Sequence, residues 1–338
     1  MEQKKRTSLK DIANHVGVST ALVSYVLNGL EKEKRVSPEI VQKIKSAVKE
    51  LNYTPNQIAR SLRKGSTMTI GFIVADIANP FFGNLVRYVG EEAFKYGYTV
   101  LIGSSDENKN KTESLINTFM DHQVDGFIIV PTEGSENQIQ ILIEKRVPFV
   151  LLDRYFPNIN TSYVILDNYN ATYEAVNFLV SKSYKKIGFI AFKTKMIHMQ
   201  ERIRGYKESM KDNDLEMFIS IKEARYDYLK KDIGKLIYEF TSDENKYDAI
   251  ILATNNITIA TLYEILDLNI RIPDELAIIG FDGNEAYDFF YSPITFIQQP
   301  LEEMGRTSVN MLISQIKEAS NIKHLEISHK LIIRDSTK

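Results

Sequence analysis

The chain has 338 residues, of which 43% are hydrophobic and 25% charged, and its formal net charge is −2. These values are typical of a soluble protein with two or three globular domains. The absence of cysteine excludes disulfides, thiol nucleophiles and cysteine-based zinc sites. No signal-type leader and no apolar run of about 18 residues are present, so we expect a cytoplasmic protein with no membrane partner.

Positive charge is concentrated at the N-terminal end. Residues 1–66 contain 13 lysines and arginines against 6 acidic residues, a net charge of +7 that leaves −9 for the rest of the chain. A basic head on an acidic body indicates that the head meets a polyanion. Lysine-rich segments are often merely solvated, so the motifs within residues 1–66 decide whether this segment binds a polyanion.

Two short helices joined by a tight turn are predicted in residues 8–28. Ser8 and Asp11 have the spacing of a capping box at a helix start. Gly17 breaks the first helix, and Ser19 can cap the second. This pattern is typical of a helix-turn-helix, whose second helix enters the major groove of DNA, although an ordinary helical hairpin shares it.

A third helix begins at Ser37-Pro38, where Ser is the cap and Pro the first helical residue. Three such helices make a headpiece of about 50 residues, near the lower size limit for folding alone. Residues 55–65 then form one or two helical turns with little to bury. This segment is either a linker or a helix that forms only when it contacts DNA and the same segment of a second subunit.

The run from Ser8 to Leu62 resembles the headpiece of the LacI/GalR family of bacterial transcription regulators. The matching segments are 10–13, 17–19, 23–24, 26–28, 36–37, 51–53, 55–56 and 59–62. The resemblance implies double-stranded operator DNA as a partner, with Leu62 and its twin wedged into the minor groove. We expect Thr20, Ala21 and Tyr25 to face base edges. The full set of expected DNA-binding residues is Ser8, Leu9, Ser19, Thr20, Ala21, Ser24, Tyr25, Asn28, Asn56, Ala59 and Leu62.

One departure concerns the DNA-reading code. The family very often places an Arg where this chain has Tyr25. A phenol cannot make the bidentate contact of an Arg to guanine O6 and N7. Operator preference is therefore expected to depart from the family's usual half-site, although Tyr25 also suits a phosphate or a thymine methyl group.

Apolar runs alternate with amphipathic helical stretches from residue 68 onward. The predicted strands are 69–75, 99–103, 126–130, 149–153, 186–192, 248–253 and 276–281, and the helical stretches include 81–96 and 171–181. This alternation implies βαβ units and two α/β lobes with parallel sheets. It resembles the two-lobed periplasmic-binding-protein-like (type I) core of the same family.

The chain thus divides into predicted domains. Residues 1–54 form an all-α helix-turn-helix headpiece, residues 55–66 a hinge helix, and residues 67–338 an effector-binding and dimerisation core. The expected N-lobe comprises about 67–166 and 298–325, and the C-lobe about 167–297 and 326–334. No leucine heptad follows the last strand, so a homodimer is favoured over a tetramer.

Ligands of open α/β sheets lie beyond the carboxyl ends of the strands. The polar residues at these positions, together with the arginine of a helix predicted to open at Arg202, suit a sugar or another polar small molecule. The expected effector-binding residues are Asp76, Asn79, Phe81, Asp153, Arg154, Arg202, Asn255 and Asp282. Of these, Arg202, Asn255 and Asp282 match the family's effector pocket best. Phe82 and Tyr155 are further candidates for stacking.

A second departure from the family lies beside this set. The family usually has Asn-Asp where this chain has Asn255-Asn256. The missing carboxylate indicates either an unusual ligand or a neutral replacement of a structural group.

The sequence does not favour two other functional classes. No G-x-S-x-G, G-x-G-x-x-G or P-loop motif follows a strand, and the five histidines lack metal-ligand spacing. An enzyme, a cofactor and a metal are therefore not predicted. An exported sugar-binding protein would need a signal and no headpiece. The sequence predicts a DNA-binding repressor of carbohydrate genes, switched by a small ligand.

Overall fold

The computed structural model describes residues 7–53, 65–242, 246–318 and 321–338. The chain divides into two compact units at Thr67–Met68. The predicted hinge residues Asn56, Ala59 and Leu62 lie outside the described residues.

The first unit contains three helices packed around one small core. These are α1 (Leu9–Val16), α2 (Thr20–Leu27) and α3 (Pro38–Glu50). Each begins at a serine cap, and Ser8 and Asp11 form the predicted capping box. Gly17 ends α1 with a left-handed φ of 74°, a conformation that costs glycine little. The core that the helices share consists of Ile12, Ala13, Val23, Val26, Ile44 and Ala47.

The second unit alternates strands and helices, as the sequence predicts. Its first lobe contains β1 (Thr69–Val74), α4 (Pro80–Lys95), β2 (Thr99–Ser104), α5 (Lys109–Asp121), β3 (Gly126–Ile129), α6 (Glu136–Glu144), β4 (Phe149–Leu152) and β5 (Tyr163–Leu166). Its second lobe contains α7 (Asn168–Ser181), β6 (Ile187–Phe192), α8 (Ile197–Asp212), β7 (Ser220–Ala224), α9 (Leu229–Thr241), β8 (Ala249–Leu252), α10 (Asn255–Asp267), β9 (Ala277–Phe281), α11 (Glu285–Phe289) and β10 (Thr295–Gln298).

The chain then returns to both lobes. Helix α12 (Leu301–Lys317) and strand β11 (His324–Ile327) belong to the first lobe, and β12 (Lys330–Ile332) belongs to the second. Three connections therefore cross between the lobes: after β5, after β10 and after β11. Short 3₁₀ helices lie at Glu216–Phe218, Tyr226–Tyr228 and Asp335–Thr337.

Each lobe is built on a six-stranded sheet. The first sheet has the order β11-β5-β4-β3-β1-β2, with parallel neighbours throughout. The second has the order β12-β10-β9-β8-β6-β7 and is parallel except for the antiparallel pair β10–β12. Strands β1, β3, β4 and β5 are almost wholly buried because helices cover both faces of the sheet.

Helices α7 and α8 approach each other closely at Gly205. A Cβ added there would lie 2.2 Å from the carbonyl oxygen of Tyr169. This contact packs α8, which carries Arg202, against the start of α7, just after the crossing at the end of β5. Within the part of the chain that the structure describes, no helix is both long and apolar enough to cross a membrane.

Candidate functional site

Helix α2 presents a polar face that does not contribute to the headpiece core. Thr20 and Ala21 are exposed, and Ser24 and Tyr25 are half-buried. Their spacing places all four on one side of the helix, whereas Val23 and Val26 face the core. Two exposed residues and a phenol are thus available for contact on one face of an eight-residue helix.

Several of the predicted DNA contacts also stabilise the headpiece itself. Ser8 caps α1, donating to and accepting from Asp11, and Leu9 packs against the core. Ser19 accepts a hydrogen bond from the backbone of Leu22 at 3.2 Å. Asn28 donates its side-chain amide to the backbone and hydroxyl of Ser24. Substitutions at these positions therefore affect folding as well as any DNA contact.

A cavity of about 230 Å³ lies between the two lobes of the second unit. Pockets for drug-sized ligands have volumes of roughly 300–1,000 Å³, so this cavity suits a single-ring ligand. Its lining comprises Asp76, Asn79, Phe81, Phe82, Glu107, Glu133, Asp153, Arg154, Phe192, Lys193, Thr194, His198, Met199, Arg202, Tyr226, Thr254, Asn256, Asp282 and Gln299.

Arg202 is a buried residue of the cavity lining. It is 2% exposed, and its guanidinium donates to Oδ1 of Asn168 at 2.7 Å and to the carbonyl of Ala253 at 2.6 Å. The guanidinium carbon lies 3.7 Å from the ring centroid of Phe281. Burial lowers the pKa of Arg202 to about 10, although nearby carboxylates oppose that effect, so it remains a cation at neutral pH. The helix carrying it begins at Ile197; the prediction that Arg202 opens the helix is wrong, because Met196 holds the cap position.

Two aspartates flank Arg202, one from each lobe. Asp153 follows β4 and Asp282 follows β9, and both adopt a left-handed backbone, with φ of 68° and 59°. Aspartate tolerates this conformation better than most residues do. Burial raises the pKa of Asp282 to about 7 against the opposing effects of Arg202 and Gln299, and burial also raises the pKa of Asp153.

Arg154 is held by carboxylates rather than left open. It donates to both oxygens of Glu107, at 2.7 and 2.8 Å, and to Asp153 at 3.2 Å. Burial opposes the charged form, yet these two carboxylates raise the pKa of Arg154. The first lobe therefore contributes an ion cluster to the cavity wall, in which one guanidinium is bonded to two carboxyl groups.

Three sets of hydrogen bonds connect the lobes across the cavity. The hydroxyl of Tyr226 donates to Asp76 at 2.7 Å. The amide of Asn255 donates to Oδ1 of Asn79 at 2.9 Å. Thr194 and the backbone of Lys195 both donate to one oxygen of Glu133. The structure is therefore a closed form of the two lobes.

Some of the buried polar atoms that lack a hydrogen-bond partner among the described residues lie at or beside this site. They include Nδ1 of His198, Oδ1 of Asn255 and Oε1 of Gln299. Burial and the cations Arg154 and Arg202 lower the pKa of His198, so its imidazole is neutral at pH 7. An unpaired buried polar atom is costly, and a polar group of a ligand would satisfy Nδ1 of His198 and Oε1 of Gln299, whose residues line the cavity.

The structure brings seven of the eight predicted effector-binding residues into the cavity lining. Asn255 instead lies behind it, 1% exposed and bonded to Asn79, while its neighbour Asn256 lines the cavity. Phe82 also lines the cavity. Tyr155 does not; it stacks on Tyr163 with centroids 4.2 Å apart.

Other lining residues were missed by sequence reasoning. Glu107 and Lys193 come soon after predicted strands, so the rule that ligands lie beyond the carboxyl ends of strands would have included them. Gln299 follows β10, and Tyr226 lies just after β7, and neither strand was predicted. Among the described residues, no three histidine or acidic side chains are grouped so that they could hold a metal ion.

Comparison with known proteins gives consistent matches along the chain. Residues 8–56 match the family described as bacterial regulatory proteins, lacI family. Residues 67–335 match periplasmic binding proteins and sugar binding domain of LacI family.

Relatives of known name match the chain over nearly its whole length. The ribose operon repressor of Halalkalibacterium halodurans is 31% identical, over 98% of this chain and 97% of the relative. The HTH-type transcriptional regulator RegA of Clostridium saccharobutylicum is 30% identical, over 98% and 99%. The solved lac repressor dimer, bound to operator and the anti-inducer ONPF, covers 98% of this chain and 99% of its own, with a TM-score of 0.87 and 20% identity. That likeness concerns the fold.

Proposed function

Since the chain belongs to the lacI family of bacterial regulatory proteins, it is a DNA-binding transcription regulator, and we propose that a small sugar controls it. In this proposal the protein acts in the cytoplasm as a homodimer, represses carbohydrate genes and has no catalytic activity. The proposed domains are the headpiece of residues 1–54, the hinge of residues 55–66 and the core of residues 67–338, with the last return to the C-lobe placed after β11.

The observation that carries the choice of ligand is the arrangement around Arg202. A guanidinium with its neighbouring carboxylates offers donors and acceptors side by side, which matches adjacent hydroxyl groups. The unpaired oxygen of Gln299 adds one further acceptor. Phe81 and Phe192 add apolar surface for the ring face of a sugar. The cavity volume of about 230 Å³ favours a monosaccharide.

DNA recognition is assigned to the exposed face of α2. Thr20, Ala21 and Tyr25 are proposed to meet base edges, and Ser19 and Ser24 to meet phosphates. The sequence-based role of Leu62 as a minor-groove wedge is kept as part of the proposal. A ligand that favours the closed lobes shifts the population of first-lobe pairings in the dimer and so controls the hinge. This coupling allows the ligand to act either as an inducer or as a corepressor.

The test is a pair of titrations on the full-length protein. Fluorescence anisotropy with DNA from the region upstream of its own gene should show sequence-selective binding that weakens steeply with salt. One member of a monosaccharide panel should shift that affinity and raise the melting temperature. Stabilisation by nucleobases or amino acids alone contradicts the sugar assignment. Binding to no DNA at any salt concentration contradicts the assigned DNA-contact residues.

A further inference from the structure

The cavity lining contains more acidic than basic side chains. Its lining contains five carboxylates (Asp76, Glu107, Glu133, Asp153 and Asp282) and three basic side chains (Lys193, Arg154 and Arg202). A phosphorylated sugar differs from the free sugar by a bulky anionic group in place of one hydroxyl, so the charge of the cavity bears directly on which of the two it accepts. The availability of its cations therefore decides which kind of sugar it accepts.

Arg154 is the buried cation of the first lobe, and its bonding edge is occupied. A guanidinium binds phosphate or carboxylate best when two parallel N–H groups are free to form a fork. Here Nη1 and Nη2 both donate to Glu107, at 2.8 and 2.7 Å, and Nε donates to Asp153. Glu107 thus holds the position that the anionic group of a ligand would take.

The backbone holds Glu107 in that place. Glu107 has a left-handed φ of 53°, and its N–H donates to the carbonyl of Ala75 at 3.0 Å. Ser105 donates to Val74 at 2.9 Å, so the segment is anchored twice to the end of β1. These bonds fix the backbone of Glu107, and the two hydrogen bonds from Arg154 hold its carboxylate.

The other two cations do not replace Arg154. Arg202 directs Nε and Nη1 to Asn168 and Ala253. Lys193 is exposed and shares the cavity with five carboxylates. An added phosphate would therefore find both Nη atoms of Arg154 and the Nε and Nη1 atoms of Arg202 already engaged, with the carboxylate of Glu107 opposing its charge.

We infer that Glu107 is a specificity-determining residue that makes the cavity reject phosphorylated and carboxylated sugars in favour of neutral ones. This inference rests on the proposed function, because it concerns the same cavity. A purely structural ion pair between Glu107 and Arg154 is the alternative, and it predicts no change in ligand preference when the pair is altered.

The test compares matched ligands on the full-length protein. Glucose, galactose, xylose and ribose are titrated beside glucose 6-phosphate, galactose 6-phosphate, ribose 5-phosphate and glucuronate, by thermal shift and then by calorimetry. For the wild type we expect a neutral sugar to bind and its charged counterpart to bind at least about tenfold more weakly. Equal or tighter binding of the charged counterpart overturns the inference and leaves the proposed function standing.

Variants assign the effect to Glu107. Glu107→Gln should reduce the ratio of the dissociation constant of the charged sugar to that of its neutral counterpart by about tenfold or more. The reason is that Arg154 is then free to donate to the anionic group of the ligand, and hydrogen bonds between charged groups are strong. In the double variant E107Q/R154Q the ratio should return toward the wild-type value, because the guanidinium is absent. Glu113 is an exposed acid of the same lobe, and Glu113→Gln should leave the ratio unchanged. An unchanged ratio in E107Q overturns the inference.

Two further outcomes remain decisive. If E107Q does not fold, the wild-type ratio still tests the inference, since comparable affinities overturn it. If nucleobases alone stabilise the wild type, the proposed function fails, and this inference about sugars fails with it.

Discussion

The side-chain amide of Gln299 donates a 2.8 Å hydrogen bond to Oδ1 of Asp282. Gln299 lies on the crossing after β10, and Asp282 follows β9 of the second lobe. The two residues are 4% and 7% exposed. A crossing between the lobes is thereby joined to a buried carboxyl group whose pKa is raised by burial to about 7.

This raised pKa predicts a pH dependence of stability. The ordinary pKa of the group is 3.8, so between about pH 4 and 7 the folded state binds more protons at Asp282 than the unfolded state does. The contribution of Asp282 to the free energy of unfolding should therefore fall as pH rises through this range, by at most about 1.4 kcal/mol per pH unit, whereas the lowered pKa of His198 acts in the opposite direction. Asp282→Asn should remove that slope in urea unfolding at pH 5, 6 and 7.

The matched control for this experiment is Asp214→Asn. Asp214 is exposed and has the same left-handed φ of 59° as Asp282, so the substitution has the same backbone consequence. It should keep the wild-type slope. Equal slopes in the wild type and Asp282→Asn would contradict the role of this carboxyl group.

Arg202 provides a second prediction. Arg202→Gln removes the cation beside Asp153 and Asp282 and leaves Asn168 and Ala253 without their donor. Breaking such a buried charge network costs about 3–5 kcal/mol of unfolding free energy, and ligand binding should be lost with it. Denaturant unfolding and ligand-induced thermal shift measure the two effects.

Arg204 is the natural control for Arg202. It lies two residues further along α8, with a half-exposed side chain bonded to Glu201. Arg204→Gln should cost less than about 1 kcal/mol and keep ligand binding. Comparable losses of stability and ligand binding in the two variants would contradict the specific role of Arg202 in the cavity.

A third prediction concerns DNA recognition. Tyr25→Arg should create a preference for guanine at the base pair that this residue faces, worth about 1–3 kcal/mol, because Arg makes the bidentate contact that a phenol cannot. Tyr25→Phe is the control and should create no such preference. Competition binding with operator variants at that position measures both. An Arg variant with unaltered base preference would place Tyr25 away from base edges.

The sequence predicts the architecture well because its signals are local. Ser8, Gly17 and Ser19 fix the turns of the headpiece through caps and a left-handed residue, and none of these depends on distant partners. The long apolar strands follow for the same reason. Half-exposed strands such as β7 and β12 have weaker patterns and are not predicted. The buried four-residue strand β5 is not predicted either.

The site is only partly predictable because it depends on which side of a strand end faces the cleft. Asp153 and Asp282 were found by their position after strands. Asn255 obeys the same rule but turns toward Asn79, leaving Asn256 to line the cavity. The pairing of Glu107 with Arg154 joins residues 47 positions apart, and no local pattern reports it.

The fourth prediction uses the close approach of α7 and α8. Gly205→Ala should lower the free energy of unfolding by about 1–3 kcal/mol or more, because the added Cβ would lie 2.2 Å from the carbonyl oxygen of Tyr169, and backbone cannot yield cheaply. Gly83→Ala, in helix α4 with no atom within 4 Å of its added Cβ, should instead stabilise by about 0.5–1 kcal/mol. Urea unfolding of the two variants distinguishes them, and similar values would refute the steric argument.

The last prediction concerns closure of the lobes. Tyr226 donates to Asp76 across the cavity at 2.7 Å, and its ring lies 5.5 Å from that of Phe192. Tyr226→Phe keeps the ring and removes one cross-lobe hydrogen bond, so the open form gains population and the dissociation constant of the sugar should rise about threefold to tenfold. The radius of gyration of the unliganded protein in X-ray scattering should increase as well. Tyr228→Phe is the control, because that exposed ring lies under Arg225 and outside the cavity lining. A dissociation constant that Tyr226→Phe leaves unaltered would mean that this bond does not hold the lobes closed.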